Sequence, residues 1–117
     1  MTIEADLYAA ISPIVPRVYP DIAPAAVARP YAVYQQVGGS VVNPIADQAP
    51  GTRNARMQII VWADTRAQAA ALMRQIEEAL IQSAVLHGRP VSALVARYDD
   101  AAQLRGAMQD FTIWHTD

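Results

Sequence analysis

Between Arg53 and Leu80 the chain passes without interruption from one periodicity to another, RNARMQIIVWADTRAQAAALMRQIEEAL. Up to Ala63 the side chains alternate. Ala55, Met57, Ile59, Val61 and Ala63 fall on one side of an extended chain, and Arg56, Gln58, Ile60 and Trp62 fall on the other, which is the two-residue period of a strand. After Asp64 the apolar positions become Ala69, Leu72, Met73, Ile76 and Leu80, the spacing that forms one stripe along a helix. Asp64 stands at the junction and is the expected N-cap, its carboxylate accepting from N–H groups two or three residues ahead. Burying four large side chains from that helix contributes on the order of 6 to 12 kcal/mol before entropy is counted, as much as the net stability of a whole domain. Docking of this helix on the sheet is therefore expected to decide folding. Ile60 and Trp62 make the second strand face too apolar to stand entirely in water, and predict cover by an N-terminal helix or by a neighbouring molecule.

The flanking segments supply the rest of an α+β pattern. Ile3, Leu7, Ile11 and Ile14 recur at helical spacing, Thr2 is placed to cap, and Glu4 and Asp6 suit the positive end of the helix dipole. Pro13 is expected to push Ser12 out of helical angles, and Pro16, Pro20, Pro24 and Pro30 then recur so closely that residues 13–29 are expected to form a stiff proline-rich connector without regular elements. Val15, Val18, Tyr19 and Ile22 should hold that connector against the core. A first strand follows Pro30, with Tyr31, Val33, Gln35 and Val37 on one face and Ala32, Tyr34 and Gln36 on the other. Gly38 and Gly39 end it and open a long exposed loop over residues 38–52, containing Asn43, Pro44, Asp47, Pro50 and Gly51. Loops of that length in a compact domain are usually functional or disordered. Beyond the long helix, His87–Pro90 break the pattern, with Gly88 as the expected left-handed closing residue. PVSALVARY, a polar turn and GAMQDFTIWH then read as a second hairpin. The predicted order is N-terminal helix, β-hairpin, long amphipathic helix, β-hairpin, with one mainly antiparallel sheet packed against helices in a single domain spanning residues 1–117.

Composition removes several functional classes. The 117 residues are 53% hydrophobic and 17% charged with a net charge of -2, so the overall field gives no attraction toward a polyanion such as nucleic acid. With no cysteine, disulfide frameworks and thiolate metal sites are excluded. The N-terminus carries acids where a secretion signal carries bases, and no apolar run approaches the roughly 18 residues of a membrane span; the expectation is a soluble cytoplasmic product. His87 and His115 lack the spacing of H-E-x-x-H. Ser40, Ser83 and Ser92 lack the G-x-S-x-G elbow, and Gly38-Gly39 fits neither phosphate-binding glycine motif. Asp99 and Asp100 are adjacent residues after a strand and are expected to decorate a solvated turn. The expectation is no catalytic, cofactor-binding or metal-binding residue. The remaining candidates are partner contacts: Gly38, Gly39, Asn43, Pro44 and Asp47 in the loop, Arg53 and Arg56 beside it for an acidic surface, and Trp62 as an aromatic anchor.

LYAAI, RVYPDIAP, RPYAVYQQV and MQIIVWADTRAQAAALMRQIEEAL occur in an order and spacing that resemble the tail completion proteins of tailed bacteriophages and prophages, over roughly residues 5–82. The resemblance is carried by Tyr19-Pro20-Asp21 with Ala23-Pro24, by Pro30-Tyr31, and by Gln58 through Trp62 followed by the helix. The C-terminal hairpin shares only its general character. This resemblance implies a small α+β protein without a catalytic site or cofactor, assembling as a ring, commonly hexameric, at the head-proximal end of the tail tube. There it would stop tube growth and present a face to the head connector. The implied partners are copies of itself, the tail tube protein and the head connector protein, with no specific nucleic acid and no membrane. The implied location is the host cytoplasm during assembly and the virion tail afterwards. Two other readings stay open on the residues alone: a ferredoxin-like α+β small-ligand-binding protein or enzyme, and a homodimeric interaction module of a bacterial cell.

Overall fold

The alternating run and the stripe that follows it fold as their periods require, into β3 (Arg53–Ala63) and α2 (Arg66–Gln82). A computed structural model describes residues 2–41 and 52–115. Around the central pair it places α1 (Ile3–Ile11), β1 (Val18–Pro20), β2 (Tyr31–Gln36), β4 (Arg89–Pro90), β5 (Val95–Asp99) and β6 (Leu104–His115). The predicted order of helix, hairpin, helix and hairpin is present, with β1 and β4 added to it. Asn43, Pro44 and Asp47 lie outside the described residues, as does most of the predicted 38–52 loop.

The strands form one sheet in the order β1-β2-β3-β6, with β4 and β5 in tandem along the outer side of β6. Only β1 and β2 run parallel; every other pairing is antiparallel. Since β4 and β5 are both antiparallel to β6, and β6 to β3, the β3–α2–β4 unit is a split βαβ with β6 inserted between its strands. Both helices lie on the same face of the sheet. Leu7 and Ile11 of α1 and Met73, Ile76 and Leu80 of α2 join Met57, Ile59, Val61, Phe111 and Ile113 in one core. The expected cover of Ile60 and Trp62 by the first helix is thus not found: α1 packs beside α2, above β1 and β2, instead of crossing to the far face.

Several local expectations change for identifiable reasons. The N-cap of α2 is Thr65, whose Oγ1 accepts from the Gln68 amide at 3.1 Å. Asp64 is instead engaged by the Arg29 guanidinium at 3.0 Å, a partner 35 positions away. Ser12 keeps helical angles despite Pro13, because its N–H completes the bond to the Tyr8 carbonyl, and Ile14 and Val15 both donate to the Ile11 carbonyl, holding a further turn that buries Val15. The connector does contain a regular element. β1 takes only one side of β2, at the edge of the sheet, where a proline such as Pro20 withholds no hydrogen bond from the ladder.

At the other edge the predicted PVSALVARY strand is split. Residues 91–94 stand opposite only two residues of β6, 109 and 110, and the Ser92 hydroxyl accepts from the Asp110 amide while Leu94 turns toward the core. Because the surplus is even, Arg89 and Val95 still emerge on the same face. α2 ends on Ser83 in an extended conformation, and the left-handed residue lies farther on, at His87, with φ of 47°. Gly88 serves a different need, since a Cβ there would lie 2.8 Å from Leu80 Cβ.

Candidate functional site

Cross-strand register fixes what the helix-free face presents, because paired residues share a face. Tyr19 pairs with Val33, Val33 with Ile60, Ile60 with Met108 and Met108 with Val95, an apolar band running across the whole sheet. The adjacent row sets Tyr31 against Trp62 and Trp62 against Gly106. Ile60, Trp62, Tyr31 and Met108 are half-buried, with no helix above them among the described residues. Gly106 makes a bed for the Trp62 indole: a Cβ there would lie 2.8 Å from Trp62 Cε3 and 3.3 Å from Arg97 Cβ. A ring laid flat on a glycine is a broad, rigid surface, the geometry from which aromatic anchors operate at interfaces.

Toward the other end of β3 the same face turns polar. Arg56 Nε donates to Asp110 Oδ2 at 2.8 Å; the arginine side chain is 45% exposed and the carboxylate 12%. The ion pair neutralises a carboxylate that the sheet largely removes from water, while leaving the rest of the guanidinium outward. Arg53 and Arg56 are three residues apart on one strand, and alternation sends them to opposite faces, so they do not form one basic patch. Gly38 and Gly39 adjoin this end. The Gly38 carbonyl accepts from the Arg56 amide, and the Val37 amide donates to the Arg56 carbonyl. Both glycines have strongly positive φ, 134° and 149°, and a Cβ on Gly39 would collide with the Asn54 carbonyl oxygen. Asn54 then ties the loop entrance to β6, accepting from the Ser40 amide and donating to Thr112 Oγ1, each at 2.7 Å. The sequence candidates divide accordingly: Gly38, Gly39, Arg53 and Arg56 gather at one end, and Trp62 lies six residues along β3, roughly 20 Å away.

Two features escaped the sequence reading. Arg29 bonds to Asp64 and to the carbonyls of Ala102 and Gln103, stitching the connector, the β3–α2 junction and the β5–β6 turn together at one end of the sheet. A cleft of about 220 Å³ opens between α1 and the β1–β2 edge, lined by Glu4, Asp21, Tyr34 and Gln36 among others. Tyr34 donates to Glu4 there at 3.2 Å. Burial first, then the Glu4 and Asp21 carboxylates, push its phenol up to about 12. A phenol held neutral so far into the alkaline range is no base at neutral pH. Tyr31 is likewise raised, by burial and by Asp99. Among the described residues no group of three or more His, Asp or Glu side chains is arranged to hold a metal ion, and no helix is long and apolar enough to cross a membrane.

The family described as "Tail completion protein gp17" matches residues 5–116. Among solved structures, the fold is similar to a chain from the virion of a native gene transfer agent (GTA) particle, at 21% identity and a TM-score of 0.64, with 96% of this chain and 92% of that chain aligned. At that identity the likeness establishes a common fold. No curated protein sequence matches the chain.

Proposed function

The chain belongs to the tail completion protein gp17 family and is a structural tail protein, and from that premise we propose that it caps the head-proximal end of the tail tube and joins tail to head as a closed ring of identical copies. The observation that carries this reading is the group of Tyr31, Ile60, Trp62 and Met108 on the helix-free face, each half-buried. A half-buried apolar surface of that kind marks a protein contact rather than a reaction centre. Copies joined head to tail close into a ring when their rotation permits, and the family resemblance suggests six. The partners on this reading are the tail tube protein and the head connector protein. Assembly would take place in the host cytoplasm, and the protein would end in the virion tail, acting by assembly and not by catalysis. The 38–52 segment, from its length and its Gly, Pro and Asn content, is proposed to reach the tube or connector, with Gly38 and Gly39 setting its exit from the sheet.

The test is genetic complementation. Removing the gene from a producing phage or prophage should yield filled heads separated from tails of irregular length, and the intact chain supplied in trans should restore joined particles. Joined particles with tails of normal length in its absence would refute the reading. Shortening the 38–52 segment should preserve the folded chain, measured by circular dichroism, and abolish joining.

A further inference from the structure

Among the described residues β1, β4 and β5 lie at the edges of the sheet, and prolines guard the outward side of the first two. In β1 the Arg17 carbonyl accepts from the Ala32 amide and the Asp21 amide donates to the Tyr34 carbonyl. Odd-numbered residues therefore face β2, and Val18 and Pro20 turn away from it. In β4 the Val91 amide donates to the Asp110 carbonyl, so Arg89 faces β6 and Pro90 turns away. Proline supplies no N–H, which blunts an edge against a further strand. β5 has no such guard. The Asp110 carbonyl and the Trp114 amide both bond toward this edge, so even-numbered residues of β6 face it. Val95 and Arg97, opposite Met108 and Gly106, bond inward, while Ala96 and Tyr98 each turn an N–H and a C=O outward. No described residue bonds these four groups, residues 95–98 are exposed, and none of them is proline. The Tyr98 side chain does not fold over the edge either: its ring lies 3.9 Å from the Arg105 guanidinium and its hydroxyl donates to Asp100.

The geometry points to β5 as a strand-addition site, where an extended segment of a different virion protein pairs with the Ala96 and Tyr98 backbone groups; this rests on the ring reading above. A second copy has no strand edge to offer in a head-to-tail ring. Its β1 turns out only one N–H, that of Val18, and the Pro20 carbonyl is already taken by the Ile22 amide. Pairing β5 with β5 is two-fold and stops at a dimer. The occupant's side-chain pattern follows from the pleat. Val95 and Arg97 stand on the helix-free face, through Met108 and Gly106, beside Ile60 and Trp62. Segment residues opposite Val95 and Arg97 share that face and lengthen its apolar band by one strand, so they are apolar at alternate positions. Main-chain bonds to Ala96 and Tyr98 hold the segment, and the apolar band selects it.

The test is hydrogen–deuterium exchange at residue resolution, in the isolated chain and in tails assembled in a complementing host. The Ala96 and Tyr98 amides should exchange freely in the isolated chain and at least about tenfold more slowly in tails, as strand pairing requires. Tails that contain the protein with both amides still exchanging freely would overturn the strand addition and leave the tail assignment standing. Tails assembled and joined without the protein would overturn the ring reading itself. Ala96→Pro removes an outward N–H and no bond of the β5–β6 ladder, so the variant should fold and be excluded from tails, whereas Ala96→Ser, which keeps the N–H, should enter them. A folded Ala96→Pro that enters tails counts against the site. The occupant is read separately. The chain has no cysteine, so Val95→Cys can be labelled with benzophenone maleimide at that position alone. Illuminated in tails, it should join a peptide of another virion protein; adducts to copies of this chain alone, or no adduct, would overturn the choice of occupant.

Discussion

The two faces of β3 carry the same backbone and opposite obligations. On one, Ala55, Met57, Ile59, Val61 and Ala63 are all at or below 1% exposure beneath the helices. On the other, Arg56 is exposed while Gln58, Ile60 and Trp62 are half-buried, with only neighbouring strands around them. The covered face holds the fold together, because removing atoms from it leaves a cavity that close-packed neighbours cannot fill. The bare face retains apolar area that folding does not require, and that surplus is available for assembly. Substitutions on the covered face should therefore read out in stability, and substitutions on the bare face in tail joining.

The largest expected effect lies on the covered face. Phe111 is fully buried in β6, and Phe111→Ala should lower unfolding free energy by about 3 to 5 kcal/mol in urea titration, a large part of the stability of a domain this size. A loss below about 1 kcal/mol would mean the covered face is not the seat of stability. Gly88→Ala should cost about 1 to 3 kcal/mol, since the new methyl group would meet Leu80 at 2.8 Å where α2 turns into β4. Trp62→Ser should break the parallel between the faces. Its stability loss should stay near 1 kcal/mol because the indole is only half-buried, yet tail joining should fail; equal stability losses for Trp62→Ser and Phe111→Ala would erase the distinction. Gly106→Ala sharpens the same point, displacing the indole without removing it.

The smallest effect is a pH dependence. Tyr34 has its phenol raised from the ordinary value of 10 to about 12 in the folded chain. The folded state therefore holds this proton after the unfolded state has lost it, and stability falls as pH rises between about 10 and 12, with the contribution fully present below pH 10. Tyr34→Phe should flatten the fall in melting temperature over that interval. An unchanged slope would show that burial, with the Glu4 and Asp21 carboxylates beside it, does not raise this phenol.

How much of this was legible in the sequence follows from the range of the forces involved. The limits of β3 could be read directly, because its alternation is uninterrupted from Arg53 to Ala63, and the α2 stripe named the buried residues Ala69, Met73, Ile76 and Leu80. The cap of α2 was misplaced by one residue. Asp64 and Thr65 both suit the position locally, and what decides between them is Arg29, far away in sequence. β1 was hidden by prolines that forbid an interior strand but not an edge strand. Trp62 could be placed on the second face from alternation, but its bed could not: Gly106 looks dispensable until register sets it across from the indole. The separation of Arg53 from Arg56 was implicit in the two-residue period. The Arg56–Asp110 pair was not, since it depends on which strand lies beside β3.

The most direct test is hydroxyl-radical footprinting of Trp62, read by mass spectrometry, in the isolated chain and in assembled tails. If the bare face is an assembly surface, Trp62 should be oxidised readily in the isolated chain and protected in the tail, while Tyr34, already buried in the folded chain, should react slowly in both. Equal oxidation of Trp62 in the two states would contradict the account.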